Sequence, residues 1–307
     1  MKKTARILST VCASAIALSM CSMISASASA ASAVRIMGDL NNDMIVDVQD
    51  AQTTLGIYVD ALAGLGSDDA TDKNETGDIN MDGKISVEDA TSILSYYCQT
   101  LVGGQPLWAD FRTVSYQNGN GFLTHEKIDP ETGEPVLDEN GKPVLEMSNR
   151  IFALRGMYVE IGCAAGKAGE TVTVPIYVAG VPELAGFQIT VTHELPLKLT
   201  KITSKINVQP GWDAKYECSA NPSAADNQGI LVAAQANNIS LADGFVIGEF
   251  TYQIPNDAAA GTHYAIEIDP SWTKFVSKDC TYVAADGKHI ENGAYQYTSL
   301  SGVVTVQ

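Results

Sequence analysis

The chain has 307 residues, 45% of them apolar, and a formal net charge of −17, enough length for two domains with cores of their own. So acidic a surface repels a polyanion, which excludes nucleic acid as a partner. Beyond Ala33 no stretch approaches the roughly 20 consecutive apolar residues that span a bilayer, and the chain closes in a strand-like run, Gly302 to Val306, rather than a sorting signal.

Residues 1–33 read as a secretory signal. Lys2, Lys3 and Arg6 precede an apolar run from Ile7 to Ile24, and Ala-Ser-Ala triplets offer cleavage near Ala30 or Ala33. A lipoprotein signal modified at Cys21 is the rival, but Met20 stands where a small residue is needed. The expected mature protein is secreted and extracellular, reaches a cell surface only through partners, and carries a formal charge of −20 once the three basic residues are gone. Cys98, Cys163, Cys218 and Cys280 remain, too scattered to read as a disulfide framework, with their pairing open. Cys98, beside Leu94 and Leu101, is expected to be a small buried side chain.

Two stretches, Gly38 to Asp50 and Gly77 to Asp89, are copies of each other at an offset of 39 residues. Oxygen-bearing side chains recur at loop positions 1, 3, 5, 9 and 12, the pattern by which a twelve-residue loop wraps a hard cation, here calcium. The expected ligands are Asp39, Asn41, Asp43, Asp47 and Asp50 with the Ile45 carbonyl, then Asp78, Asn80, Asp82, Ser86 and Asp89 with the Lys84 carbonyl. A single such loop could be a solvated Asp/Asn turn; two in register argue for the ion. Between Gly38 and Leu101 stand 13 acidic residues and two lysines, a self-repulsion that cations would relieve.

After each loop a helix is expected. Val48, Ala51, Leu55, Tyr58 and Leu62 repeat as Val87, Ala90, Leu94, Tyr97 and Leu101 at spacings of three and four, so two apolar stripes are expected to pack on each other. No entering helix precedes either loop, and position 12 is Asp rather than Glu. On these residues Gly38 to Leu101 resembles a dockerin, the duplicated calcium-loop module that plugs into cohesins. The resemblance implies two Ca2+ ions and a docking surface at Val48, Gln49, Val87 and Glu88. Met44 departs from Gly83 at position 6, where positive φ costs a side chain about 1 kcal/mol, so the first site should be the weaker.

Val102 to Pro106 marks a boundary. Residues 103–156 read as a linker or ordered spacer, too aromatic (Trp108, Phe111, Tyr116, Phe122, Phe152) for a flexible tether, with a near-repeat whose Asn140-Gly141 predicts a β-hairpin.

From Met157 short alternating runs separated by turn residues predict about nine strands in roughly 150 residues, a two-sheet β-sandwich. In the run from Gly186 to Thr192, Phe187, Ile189 and Val191 should face in, Gln188, Thr190 and Thr192 out. The order of Gly169 to Ile176, Gly180 to Ile189, Gly248 to Thr262 and Ser301 to Val306 resembles a cohesin. Carried over by position, dockerin-contacting residues would be Gly186, Gln188, Val232, Ala234 and Asn237. Gln188 and Gly186 stand where an Asp and an Asn are common on that face, and Ala220 to Asp226 offers no match to its tyrosine.

No catalytic constellation stands out. His125, His193, His263 and His289 are far apart with no H-E-x-x-H, there is no C-x-x-C and no G-x-S-x-G, and Gly162 to Ala168 imitates a phosphate loop but reads as a strand-connecting turn. Glu194, Glu249 and Glu267 are isolated carboxylates whose spacing a glycosidase pair would have to satisfy. The expectation is therefore a multidomain, non-catalytic protein. A small α-helical calcium-loop module (34–102) and a spacer (103–156) precede an all-β sandwich (157–307), and the whole resembles an adaptor scaffoldin of a ruminococcal-type cellulosome. Its dockerin would enter a cohesin on a larger scaffoldin, and its cohesin would accept dockerin-bearing enzymes. The two modules of one chain are expected not to recognise each other. The alternatives are a dockerin-borne carbohydrate-binding sandwich and a dockerin-bearing glycan hydrolase.

Overall fold

The computed structural model describes residues 34, 36–70, 74–80, 83–111, 115–116, 123–126, 136–138, 141–142, 144–147, 157–213, 219–241, 244–283, 289–290 and 293–307. Residues 1–33, Asp82, Phe122, Asn140, Phe152 and Cys218 lie outside them. No helix among the described residues is long and apolar enough to cross a membrane.

The N-terminal module consists of two loops, each opening a 15-residue helix: α1 (Val48–Leu62) and α2 (Val87–Leu101). Both helices start on the same device. Asp47 and Ser86 cap the second turn-forming amide (Gln49 and Glu88), and Asp50 and Asp89 reach back to the cap's own N–H, closing a capping box that satisfies donors otherwise left open at a helix start. The helices pack on each other, but of the repeated stripes only Ala51 and Ala90 are buried. Asp50, Ala51 and Thr54 are buried on α1 and Asp89, Ala90, Ile93 and Tyr96 on α2, whereas Val48, Leu55, Leu62, Val87, Leu94 and Leu101 are exposed. The expected burial of the stripes is thus corrected: small residues let the helices approach, and larger apolar ones are left outside. Cys98 is likewise exposed rather than buried.

A 3-10 turn, Trp108–Phe111, follows α2. Three short strands, β1 (Ser115–Tyr116), β2 (Leu123–Glu126) and β3 (Leu145–Met147), form an antiparallel sheet. Around Gly141, at φ +74°, Asp138 N–H donates to Lys142 O and Val144 N–H to Val136 O, closing a hairpin-like turn where one was expected.

The C-terminal part is a sandwich of a seven-stranded and a five-stranded sheet. Its strands are β4 (Tyr158–Ile161), β5 (Ala164–Gly166), β6 (Thr171–Ala179), β7 (Val181–His193), β8 (Lys198–Ser204), β9 (Ser219–Ala225), β10 (Gln228–Leu241), β11 (Phe245–Gln253), β12 (His263–Ile268), β13 (Lys274–Val276), β16 (Thr298–Leu300) and β17 (Gly302–Val306); β14 (Tyr282–Val283) and β15 (His289–Ile290) make a separate ribbon. The larger sheet runs β5-β17-β12-β7-β10-β9 with β13 also on β7, the smaller β16-β4-β6-β11-β8. The expected count of about nine strands is too low because strands break. Gly162 and Cys163 let the chain leave one sheet at β4 and enter the other at β5, and β16 and β17 follow the same crossing, pairing in parallel with β4 and β5.

Alternation builds the core. Val172, Val174, Ile176 and Val178 of β6, Phe187, Ile189 and Val191 of β7 and Phe250 and Tyr252 of β11 point between the sheets. Outward residues of the smaller sheet find a second partner. Tyr158, Tyr177, Ala179 and Leu300 join Met37, Ile79, Ile93 and Tyr96 of the helical module in one apolar cluster, with Trp108 at its centre. The start of the presumed spacer is therefore part of a packed interface. The two modules meet on the sheet opposite β7 and β10.

Candidate metal loops and docking faces

The two loops are built alike, bond for bond. In the first, Asp50 Oδ1 accepts the Leu40 and Asn41 amides at 2.9 and 3.3 Å and Asp39 Oδ2 the Met44 amide at 2.9 Å. In the second, Asp89 Oδ1 accepts Ile79 and Asn80 at 2.8 and 3.3 Å, and Asp78 Oδ2 accepts Gly83 at 2.8 Å. Position 6 is left-handed in both, at φ +67° for Met44 and +94° for Gly83; Met44 therefore carries a strain that Gly83 avoids. The loops are tied together where Gly38 N–H donates to Thr76 O and the Thr76 hydroxyl to Asp39 O.

Asp39, Asp50, Asp78 and Asp89 are all buried. Burial raises the pKa of Asp39, with Asp50 adding to the rise by repulsion, and burial raises that of Asp50, with Asp43 adding. Among the described residues no three His, Cys, Asp or Glu side chains converge on a metal-sized point; the carboxylates are turned onto the loop's own amides. Buried, mutually repelling carboxylates beside Asn41 Oδ1, Asn80 and the Ile45 and Lys84 carbonyls are a donor set of oxygens alone, which fits a hard cation. Asp43 Oδ1 accepts the Ile45 amide and Oδ2 the Asn41 side-chain amide. Asp47 and Ser86 serve as helix caps at position 9.

Val48, Gln49, Val87 and Glu88 are exposed at the first turns of their helices. Behind Val48 lie Leu55, Val59 and Leu62, and behind Val87 lie Leu94 and Leu101, so each helix presents an open apolar stripe at matched positions.

On the sandwich, β7 and β10 place the other candidates opposite each other. Val232 pairs with Gln188 and Ala234 with Gly186, before a bulge between Ala234 and Ile239 that carries exposed Asn237. Gly186 is buried, flanked by the Ala234 and Val276 side chains. Thr190, expected on the open face, is covered: the Thr273 hydroxyl accepts its N–H at 3.0 Å, and residues 269–273 cross over it. That crossing brings Trp272, 47% exposed, next to Gln188, whose side-chain amide donates to the Trp272 carbonyl at 2.9 Å. Sequence reasoning passed over Trp272, since only the crossing sets it beside this face; its one signal was an aromatic residue in a turn.

Glu194 and Glu267, isolated in sequence, line one open cleft of about 610 Å3 with His263 and Asn227. Burial raises the Glu267 pKa, with Glu194 adding to it, while Glu194 is held by the Ala265 amide at 3.0 Å. Glu249 is elsewhere, paired with Lys205 at 2.8 Å.

Residues 157–289 match the family model of the cohesin domain. Solved structures similar to the chain include the seventh ScaB type I cohesin from Pseudobacteroides cellulosolvens (19% identity, 49% of this chain and 92% of that one, TM-score 0.38). Another is the third cohesin ScaC in complex with the ScaB dockerin from Acetivibrio cellulolyticus (17%, 49% and 98%, 0.37). A third is a non-cellulosomal cohesin from the archaeon Archaeoglobus fulgidus (10%, 49% and 91%, 0.37). No curated protein matches the chain. By family match and by topology, the C-terminal part of this chain is an all-β sandwich typical of cohesins.

Proposed function

We propose that the protein is a secreted, non-catalytic adaptor scaffoldin. Its sandwich accepts dockerin-bearing enzymes or subunits of a polysaccharide-degrading complex, and its calcium-loaded helical module docks into a cohesin on a larger scaffoldin. The observation that carries the reading is the disposition of faces. The helical module occupies the smaller sheet, leaving Gln188, Val232, Ala234 and Asn237 of the β7–β10 face free of it, and the paired stripes beginning at Val48 and Val87 stay open too. Both connections can therefore be made at once. Asp39, Asn41, Asp43, Ile45, Asp47 and Asp50, and their counterparts Asp78, Asn80, Asp82, Lys84, Ser86 and Asp89, would hold two Ca2+ ions. Those ions would neutralise the buried carboxylates and fix the loops that launch α1 and α2.

The test uses the full-length chain in millimolar calcium against dockerin-bearing and cohesin-bearing proteins of the same secretome. A charge placed in the sandwich face, Val232→Asp with Ala234→Asp, should abolish capture of dockerins and spare capture of cohesins; Val48→Asp with Val87→Asp should do the reverse. Capture indifferent to both pairs would discard the reading. Because the two helices offer nearly the same surface, with Gln49 answering to Glu88, a cohesin could engage either. Loss of all cohesin binding on changing one helix alone would exclude that dual mode.

A further inference from the structure

Each loop is rooted in the interface with the sandwich. Met37, just ahead of the first donor Asp39, is 3% exposed, and Ile79, between donors Asp78 and Asn80, is fully buried; both belong to the cluster that includes Leu300. The seat is Trp108. Its ring stacks on Tyr96 of α2 with centroids 4.0 Å apart and planes within 8°, and the backbone of Gly38 lies so close that an added Cβ would sit 2.5 Å from the indole. The same residue is clamped to the sheet from below. Glu160, 1% exposed, accepts the Trp108 amide at 2.5 Å on one carboxylate oxygen and the Ala109 amide at 3.3 Å on the other. Tyr96 reaches across as well, hydrogen-bonded to Cys163 at the β4–β5 crossing.

We propose that the helical module is a calcium-latched subunit of its own sandwich. Loop filling and seating on β4, β6 and β16 are then one coupled equilibrium, a claim that rests on the calcium reading given above. The coupling follows from shared parts: the residues that fix the start of each loop are the residues that bury Trp108, so ordering one orders the other. Reciprocity requires that the sandwich raise the ion affinity of the loops by the factor that the ion raises seating. An adaptor of this kind is a rigid bracket with calcium and becomes two tethered domains without it.

A specific protease site inserted between Thr113 and Val114 of the full-length chain tests this, since cutting there leaves Trp108 with the helices and all strands with the sandwich. After cutting, the two pieces should co-elute in gel filtration in millimolar calcium and separate in excess chelator. Trp108→Ala should separate them even in calcium and lower the ion affinity of the uncut chain at least tenfold, Glu160→Gln should loosen them less, and Trp108→Phe should restore much of the contact. Separation in calcium while the same sample takes up two ions would overturn the latch alone. Co-elution in chelator would overturn the coupling, and so would Trp108→Ala pieces that stay together in calcium. Failure to take up any ion would overturn the calcium reading and the latch together.

Discussion

The helical module and the sandwich solve the problem of holding a chain together in opposite ways. The sandwich has an apolar interior in which Phe187 meets Trp212 and Phe275 at ring distances of 6.3 and 6.2 Å. In the module the most deeply buried positions include four aspartates, Asp39, Asp50, Asp78 and Asp89, and large apolar side chains such as Leu62 and Leu101 are turned to solvent. One region stores its stability in hydrophobic contact; the other leaves apolar surface uncovered and relies on polar wiring.

The largest blow to that contrast should come from Phe187→Ala, expected to cost about 3–5 kcal/mol, read as a fall in the urea midpoint of the sandwich by near-ultraviolet circular dichroism. If the helical signal at 222 nm falls at the same urea concentration, the two regions unfold as one; if it persists, they are thermodynamically separate. Next is Asp89→Ala, which removes a capping box and leaves the Ile79 and Asn80 amides without their acceptor. A loss of about 1–3 kcal/mol should appear as reduced helicity with the sandwich intact. Met44→Gly works in the other direction: relieving the φ of +67° should stabilise the first loop by about 1 kcal/mol, seen as tighter calcium binding at the weaker site and a smaller gap between Asp39→Ala and Asp78→Ala. Unchanged ion affinity would show that position 6 does not set the difference between the sites.

The smallest effect concerns pH and belongs to the sandwich. His193 is 4% exposed against Tyr252, and burial lowers its pKa below 6.5, against a weaker pull from the Leu197 backbone. Above pH 6.5 both folded and unfolded chains hold it neutral. As pH falls below that value the unfolded chain takes a proton that the folded one refuses, so stability declines with acid. His193→Phe should flatten the melting temperature between pH 6.5 and 5.5; an equal slope in the variant would assign the acid sensitivity to other groups.

The twin loops and their shared anchoring were legible because their oxygen-bearing side chains recur at fixed spacing and the whole unit repeats, and the inward face of β7 because Phe187, Ile189 and Val191 alternate. What could not be read depended on distance along the chain. The stripes of α1 and α2 look like core because a sequence shows amphipathicity, not which neighbour comes to cover it. Of those stripes only Ala51 and Ala90 are buried, and Ile93 and Tyr96 beside them are covered as well. β9, Ser219–Ala225, was missed because an edge strand of small and polar residues lacks the alternation that marks a half-buried one. Glu160 was unreadable: a charged residue within the fully buried run Tyr158–Ile161 makes sense only when Trp108 arrives from 52 positions upstream. The cleft of Glu194 and Glu267 likewise exists only because β12 lies beside β7.

The parallel pairing of β16 and β17 with β4 and β5 also sets the timetable of folding. Leu300, which completes the apolar seat of Trp108, and Val304 to Val306, which pair with β5, are synthesised well after the helices that need that seat. Contacts so far apart in sequence form slowly, so the cover that Leu300 gives Tyr96 and Trp108 arrives only once β16 is made. Late closure leaves the helices and the sandwich unlocked while the intervening strands are made, and β16 brings them together.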